Sequence, residues 1–182
     1  DIAMICPLHG WVLTGDVIGW FVDKYTAWAS YQPEEKGVLI AYGSIYGGTE
    51  NAAEILAGML ADRGICNIAV YDVSATHPSY LVSEAFKYSH LVFASATYNC
   101  GIFTPMENLL LDLKAHSMQN RTVALVQNGS WSPMSGKLMQ EIVGSFKNTA
   151  LLEPVATLRS TVSDKTREEL SALADAIQAS ME

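Results

Sequence analysis

Cysteine is scarce in this sequence: Cys6, Cys66 and Cys100 lie far apart and are odd in number. There is no CxxC pair and no Cys/His cluster. Neither a disulfide framework nor a zinc site is supported, and a reducing cytoplasm is the expected compartment. Basic residues are few as well. Lys and Arg total 11 against 19 Asp and Glu, a net charge of -8. A nucleic-acid partner is not expected, because phosphate backbones attract basic patches. No apolar run approaches the roughly 18 residues of a membrane span, so no membrane partner is expected. No signal-peptide pattern, internal repeat or low-complexity segment is found. What remains is 182 residues, 49% of them apolar, ample for one buried core with a short attachment.

Apolar runs alternate with helical stretches from residue 37 onward. The runs are 37–43, 66–73, 90–97, 121–129 and 150–159, and the helices are 49–64, 78–88, 104–118, 133–146 and 164–180. The runs are apolar nearly throughout, as strands are when helices cover both faces of a parallel sheet. Ala52, Ile55, Leu56, Met59 and Leu60 fall on one helical stripe, with Thr49 as the expected N-cap. Five β-α units predict a doubly wound α/β fold. Residues 1–35 stand outside the alternation. They contain a short apolar run, "IAMIC", an aromatic-rich helical stretch at 16–31, and the Pro- and Glu-bearing "QPEEKG" at 32–37, read as a linker. The chain enters on "DIAMICPLHGW" without an initiator methionine and reads as a fragment or a processed chain.

The turn "GSIYGGTE" (43–50) follows the first strand and contains no basic residue. It fits neither the Walker pattern, which needs a lysine, nor GxGxxG. A helix N-terminus presents unpaired N–H groups and a positive dipole end, so it can hold a phosphate without a cation. Ser44, Tyr46 and Thr49 offer hydroxyls, and Gly47 and Gly48 permit close backbone approach. Two further loops, "ATYNCGIFTP" (96–105) and "QNGSWSPMSG" (127–136), follow the third and fourth strands. Ligands gather beyond the C-terminal ends of such strands, so the three loops are expected to converge. Tyr98 and Trp131 supply flat faces for a planar ring, and Asn99 and Asn128 supply polar groups for its edge. A phosphate loop with two aromatic loops describes a site for a mononucleotide with a large heterocycle.

In that order, "GSIYGGTE", "TYNCGIF" and "NGSWSP" resemble the three FMN-contacting loops of the flavodoxin family. More closely, "KGVLIAYGSIYGGTENAAEILAGML" resembles the C-terminal flavodoxin-like domain of flavodiiron proteins (A-type flavoproteins). The resemblance implies a five-stranded parallel sheet in the order 2-1-3-4-5 with helices on both faces. It implies an FMN domain at 36–182, preceded at 1–35 by the end of a metallo-β-lactamase-like module and a linker helix. The implied FMN-binding residues are Ser44, Ile45, Tyr46, Gly47, Gly48, Thr49, Thr97, Tyr98, Asn99, Cys100, Gly101, Asn128, Gly129, Ser130 and Trp131. Gly101 stands where a loop carbonyl can turn toward the ring. In "ICPLHG", His9 matches an iron ligand of the family, although the rest of a diiron centre is not in this chain. Two positions depart from the family pattern: Ala96 stands where many members have proline, and the third loop lacks GxxGW.

The function this implies is electron transfer. FMN would relay electrons from a donor protein or reductase to the diiron site of an oxygen or nitric oxide reductase, with no catalytic residue in this chain. Family members pair head to tail, so the intact protein is expected to be a homodimer. The alternative on the same fold is an FMN-dependent NAD(P)H or quinone reductase, for which the sequence shows no nicotinamide motif.

Overall fold

The computed structural model describes residues 1–181. The chain opens with an antiparallel hairpin, β1 (Met4–Ile5) and β2 (Leu13–Thr14), followed by α1 (Val17–Ala29). No residue of α1 is fully buried, and Val17, Trp20 and Tyr25 are exposed. Of the apolar run "IAMIC" only Met4–Ile5 forms a strand.

Residues 30–34 are tied down. Arg121 is buried without a carboxylate partner among the described residues, and its guanidinium donates to the carbonyls of Tyr31, Ala85 and Phe86, among others. The Tyr31 carbonyl thereby links α1 to the main body. Glu34 accepts from Lys24 and Trp28 of α1, while its backbone N–H donates to the Lys87 carbonyl at 2.9 Å. The expected linker is thus partly taken into the sheet, because β3 (Glu35–Gly43) starts at Glu35.

Val38 and Ile40 of β3 face one side and Leu39 and Ala41 the other, and all four are fully buried. This two-sided burial is why the strand reads as an unbroken apolar run. After β3 come α2 (Gly48–Asp62), β4 (Ile68–Asp72), α3 (Pro78–Lys87) and β5 (Tyr88–Tyr98). They are followed by β6 (Gly101–Ile102), α4 (Thr104–Ala115), β7 (Thr122–Asn128) and α5 (Ser135–Val143), and the chain ends with β8 (Ala150–Leu151), β9 (Ala156–Leu158) and α6 (Asp164–Ser180). The parallel order is β4-β3-β5-β7, with β8 and β9 both on β7. That is the expected 2-1-3-4-5. Helices α2 and α6 pack on Val38, Ile40, Val92 and Val126, whereas α3, α4 and α5 pack on Leu39, Leu91, Phe93 and Leu125. Burial of each such side chain stabilises the fold by roughly 1.5–3 kcal/mol.

The fifth strand differs from expectation. It breaks between Leu151 and Ala156, and its register against β7 shifts from Thr122↔Ala150 to Val126↔Ala156, which inserts two extra residues. Pro154 lies in the break and has no N–H to donate to a ladder.

Candidate functional site

The crevice lies at the C-terminal ends of β3, β5, β7 and β9. At the first, the chain leaves Gly43 and enters α2 through Gly47, whose φ of +82° is left-handed and suits glycine. Gly47 is therefore the N-cap, not Thr49 as the sequence suggested, and α2 has no side-chain cap. Thr49 sits inside the first turn, buried, with its Oγ1 accepting from Asn128 Nδ2 at 3.2 Å. Ser44 Oγ is buried and has no hydrogen-bond partner among the described residues. A buried hydroxyl left unpaired is costly. One carboxylate lies close by: Glu50, in the first turn, accepts from the Tyr42 hydroxyl at 3.2 Å. Burial first, and then the Glu50 charge, push the Tyr42 phenol up to about 12, so it stays protonated and keeps donating.

The second and third loops brace each other. Thr97 Oγ1 accepts from the backbone N–H groups of Met134 (3.0 Å) and Ser135 (3.2 Å) and donates to Ser135 Oγ. Ser135 Oγ in turn donates to the Ser95 carbonyl at 2.9 Å. The N-terminus of α5 is thus held by the end of β5. Beyond Thr97 the chain turns sharply, with Tyr98 pairing Gly101 across Asn99 (φ +48°) and Cys100 (φ +59°). Two left-handed residues between paired strands make a type I′ hairpin. The left-handed backbone falls on Asn99 and Cys100, and Gly101 does not take a positive φ.

Asn128 was expected to read a ring edge, but its amide is occupied. Nδ2 donates to Thr49 Oγ1 and to the Ser160 carbonyl, and Oδ1 accepts from the Ser160 N–H at 2.9 Å. It joins the first, third and fourth strand ends. Ser160 is the residue the sequence reading missed. It follows β9 in a loop without a motif, and only the sheet register brings it to the crevice.

One cavity of about 130 Å³ lies among these loops. Ser44, Ile45, Tyr46, Gly48, Thr49, Thr97, Asn128, Gly129 and Ser130 line it, together with Ala96 and Ser160, which the sequence had not nominated as ligands. Gly47, Tyr98, Asn99, Cys100, Gly101 and Trp131 do not line it. Pockets that enclose a drug-sized ligand run to roughly 300–1,000 Å³, so this cavity fits a phosphoryl group and not a tricyclic ring. Tyr46, Tyr98 and Trp131 stand exposed, Tyr46 and Trp131 almost completely. Tyr46 thus keeps its place in the loop, while its ring lies mostly in solvent. His9 is exposed in the segment joining β1 and β2. Among the described residues no group of three His, Cys, Asp or Glu side chains is placed to hold a metal ion.

A flavodoxin family model matches residues 40–167, which contain all four strand-end loops. The chain belongs to the flavodoxin family. Flavodiiron proteins are among its relatives. The chain is 32% identical over 138 residues to the rubredoxin-oxygen oxidoreductase of Megalodesulfovibrio gigas, covering 75% of this chain and 34% of that protein. The solved rubredoxin oxygen:oxidoreductase from Desulfovibrio gigas superposes with a TM-score of 0.88 at 26% identity, over 98% of this chain and 44% of that one. The flavodiiron protein of Giardia intestinalis gives 0.82 at 18% identity, over all of this chain and 46% of that one. The flavodoxin-family chain described here therefore spans about a third of the length of the curated relatives it matches.

The residues fit a flavin phosphate. A buried hydroxyl without a partner among the described residues, a helix N-terminus opened by a left-handed glycine and a small cavity lined by hydroxyl-bearing side chains meet at one strand end.

Proposed function

We propose that this chain binds FMN and serves as the electron-carrying domain of a flavodiiron-type oxygen or nitric oxide reductase. The observation that supports this most directly is Ser44: its buried Oγ has no partner among the described residues where α2 begins, and a phosphate oxygen supplies one. In this reading Ser44, Ile45, Tyr46, Gly47, Gly48 and Thr49 meet the phosphate through N–H groups and hydroxyls. Thr97 and Asn128 hold the loops in register. Tyr98, Asn99, Cys100, Gly101, Gly129 and Trp131 approach the ring and its polar edge, while Ser130, which lines the cavity with Ser44 and Thr49, serves the phosphate end. FMN supplies the reversible uptake of electrons. The protein binds and orients the cofactor and contributes no catalytic residue of its own.

Residues 1–35 are read as the end of a metallo-β-lactamase-like module with its linker helix, and 36–182 as the FMN domain. The unburied α1 and the greater length of the relatives support that division. His9 would then complete an iron site whose other ligands lie outside this chain. A donor protein or reductase would load the flavin. Pairing of two intact copies would bring the flavin of one near the iron of the other. The cytoplasm is the proposed compartment, and among the described residues no helix is long and apolar enough to cross a membrane.

The test is an absorption spectrum of the purified chain, followed by heat release of any yellow cofactor. Flavin bands, with FMN released at near one equivalent, are the expected result. A colourless protein that takes up no added FMN overturns the reading. In stopped-flow, rapid reduction by NADH or NADPH alone would instead move the assignment to a self-sufficient reductase.

A further inference from the structure

Four strand ends, not three, surround the cavity. The segment after β9 reaches it through Ser160, a serine held at φ +71°. A non-glycine residue takes that conformation only when its surroundings impose it. Here Asn128 imposes it from both sides, accepting from the Ser160 N–H and donating to the Ser160 carbonyl. The same carbonyl packs against Gly48, so closely that a β-carbon there would lie 2.0 Å away. With its backbone clamped, Ser160 presents Oγ to Ser130 Oγ at 2.8 Å, and both serines line the cavity. The loop's cation points elsewhere: Arg159 lines a separate cavity with Lys165 and Glu169.

We propose that Ser160 is a positioning residue for the phosphate end of the flavin site, acting through Ser130. This rests on the FMN reading above. A hydroxyl carries one proton and can accept two hydrogen bonds. When Ser160 donates to Ser130, the Ser130 proton is free to point into the cavity. In a pocket without lysine or arginine, donors that are oriented in advance replace a cation as the source of affinity for a phosphate monoester. The fourth loop therefore makes the site selective for a phosphorylated flavin over the same ring without phosphate.

The experiment titrates the flavin-free chain with FMN and, separately, with riboflavin. It compares wild type, Ser160→Gly, Ser130→Ala and the double variant. Glycine accepts φ +71° freely, so Ser160→Gly removes the hydroxyl while leaving the clamped backbone intact, and its thermal unfolding without flavin is expected not to fall. Each single variant is expected to weaken FMN about tenfold and to leave riboflavin within about twofold. The double variant is expected to lose no more than about the larger single effect, as for two residues acting through one bond. Unchanged FMN affinity in Ser160→Gly, equal weakening of both flavins, or fully additive losses would each overturn the proposal while leaving FMN binding in place. A wild-type chain that takes up neither flavin removes the FMN reading and this inference with it.

Discussion

A β-carbon on Gly48 would lie 2.0 Å from the carbonyl oxygen of Ser160 and 3.2 Å from Asn128 Nδ2. Glycine at this position therefore answers to the protein's own fourth loop, which closes against the first turn of α2. The sequence pattern had suggested an approach by a ligand. Both explanations ask for the same residue, and the Ser160 carbonyl by itself leaves no room for a β-carbon.

Gly48→Ala should consequently damage both stability and the cavity. The obstacle is main chain and cannot swing aside, so either α2 or the Ser160 loop must move. Overpacking of this kind costs about 1–3 kcal/mol. Thermal unfolding of the flavin-free chain should show that loss, and FMN affinity should fall with it. Unaltered values for both would mean the two segments are not packed as described. Gly101→Ala is the comparison: its β-carbon would meet only the Tyr98 carbonyl, at 3.3 Å, and the loss should be smaller.

Cys100→Gly should stabilise the chain. Cys100 occupies a left-handed turn position, which costs a non-glycine residue roughly 1–2 kcal/mol. Glycine avoids that cost but loses about 0.5–1 kcal/mol through the greater freedom of the unfolded chain. The net gain is about 0–1.5 kcal/mol, with a central value of about 0.75 kcal/mol visible as a higher urea midpoint. A lower midpoint would show that the thiol contributes packing that the turn geometry does not reveal.

Salt should not weaken FMN binding here. No Lys or Arg lines the cavity, and the chain carries a net charge of -8, which repels a phosphate at long range. The screening length falls from about 30 Å at 0.01 M to about 10 Å at 0.1 M. Titration of the flavin-free chain across that range should therefore show affinity unchanged or modestly higher. A steep loss of affinity with salt would reveal a cation in the site.

His90 should make the fold less stable in mild acid. Its ring lies between Ser89 and Ser180, and burial, followed by the Lys36 charge, lowers its pKa below the ordinary 6.5. As pH falls past 6.5 the unfolded chain takes up a proton before the folded one does, so stability declines until the folded ring also titrates. His90→Gln should flatten part of that slope in unfolding curves between about pH 5 and 8. An identical slope in the variant would remove His90 from the account.

The apolar runs around Val38–Ala41, Leu91–Ala94 and Val123–Val126 were legible as strands because burial on both faces leaves no polar positions. The doubly wound class followed from the β-α alternation, the strand order from the family resemblance, and the first three loops from their places after those strands. Less visible were features made by distant partners. The break near Pro154 and its two-residue register shift look, in sequence, like one continuous strand. Asn128 has the composition of a ligand-reading residue, yet residues 49 and 160 engage its amide. The left-handed turn at Asn99 and Cys100 is likewise made by a partner along the chain, the hairpin pairing between Tyr98 and Gly101.

The sequence by itself determined the five β-α units, the absence of basic charge from residues 43–50 and the glycine pair that opens α2. These are local matters of hydrophobic pattern, charge and backbone permission. Only the tertiary structure decided that Ser160 completes the cavity, that Gly48 is a packing glycine, and that Asn128 joins three strand ends. Residues 48, 128 and 160 meet because parallel pairing sets Asn128 opposite Leu158 and carries the next turn of chain over α2. A contact across 112 positions depends on that register and leaves no periodic mark in the sequence.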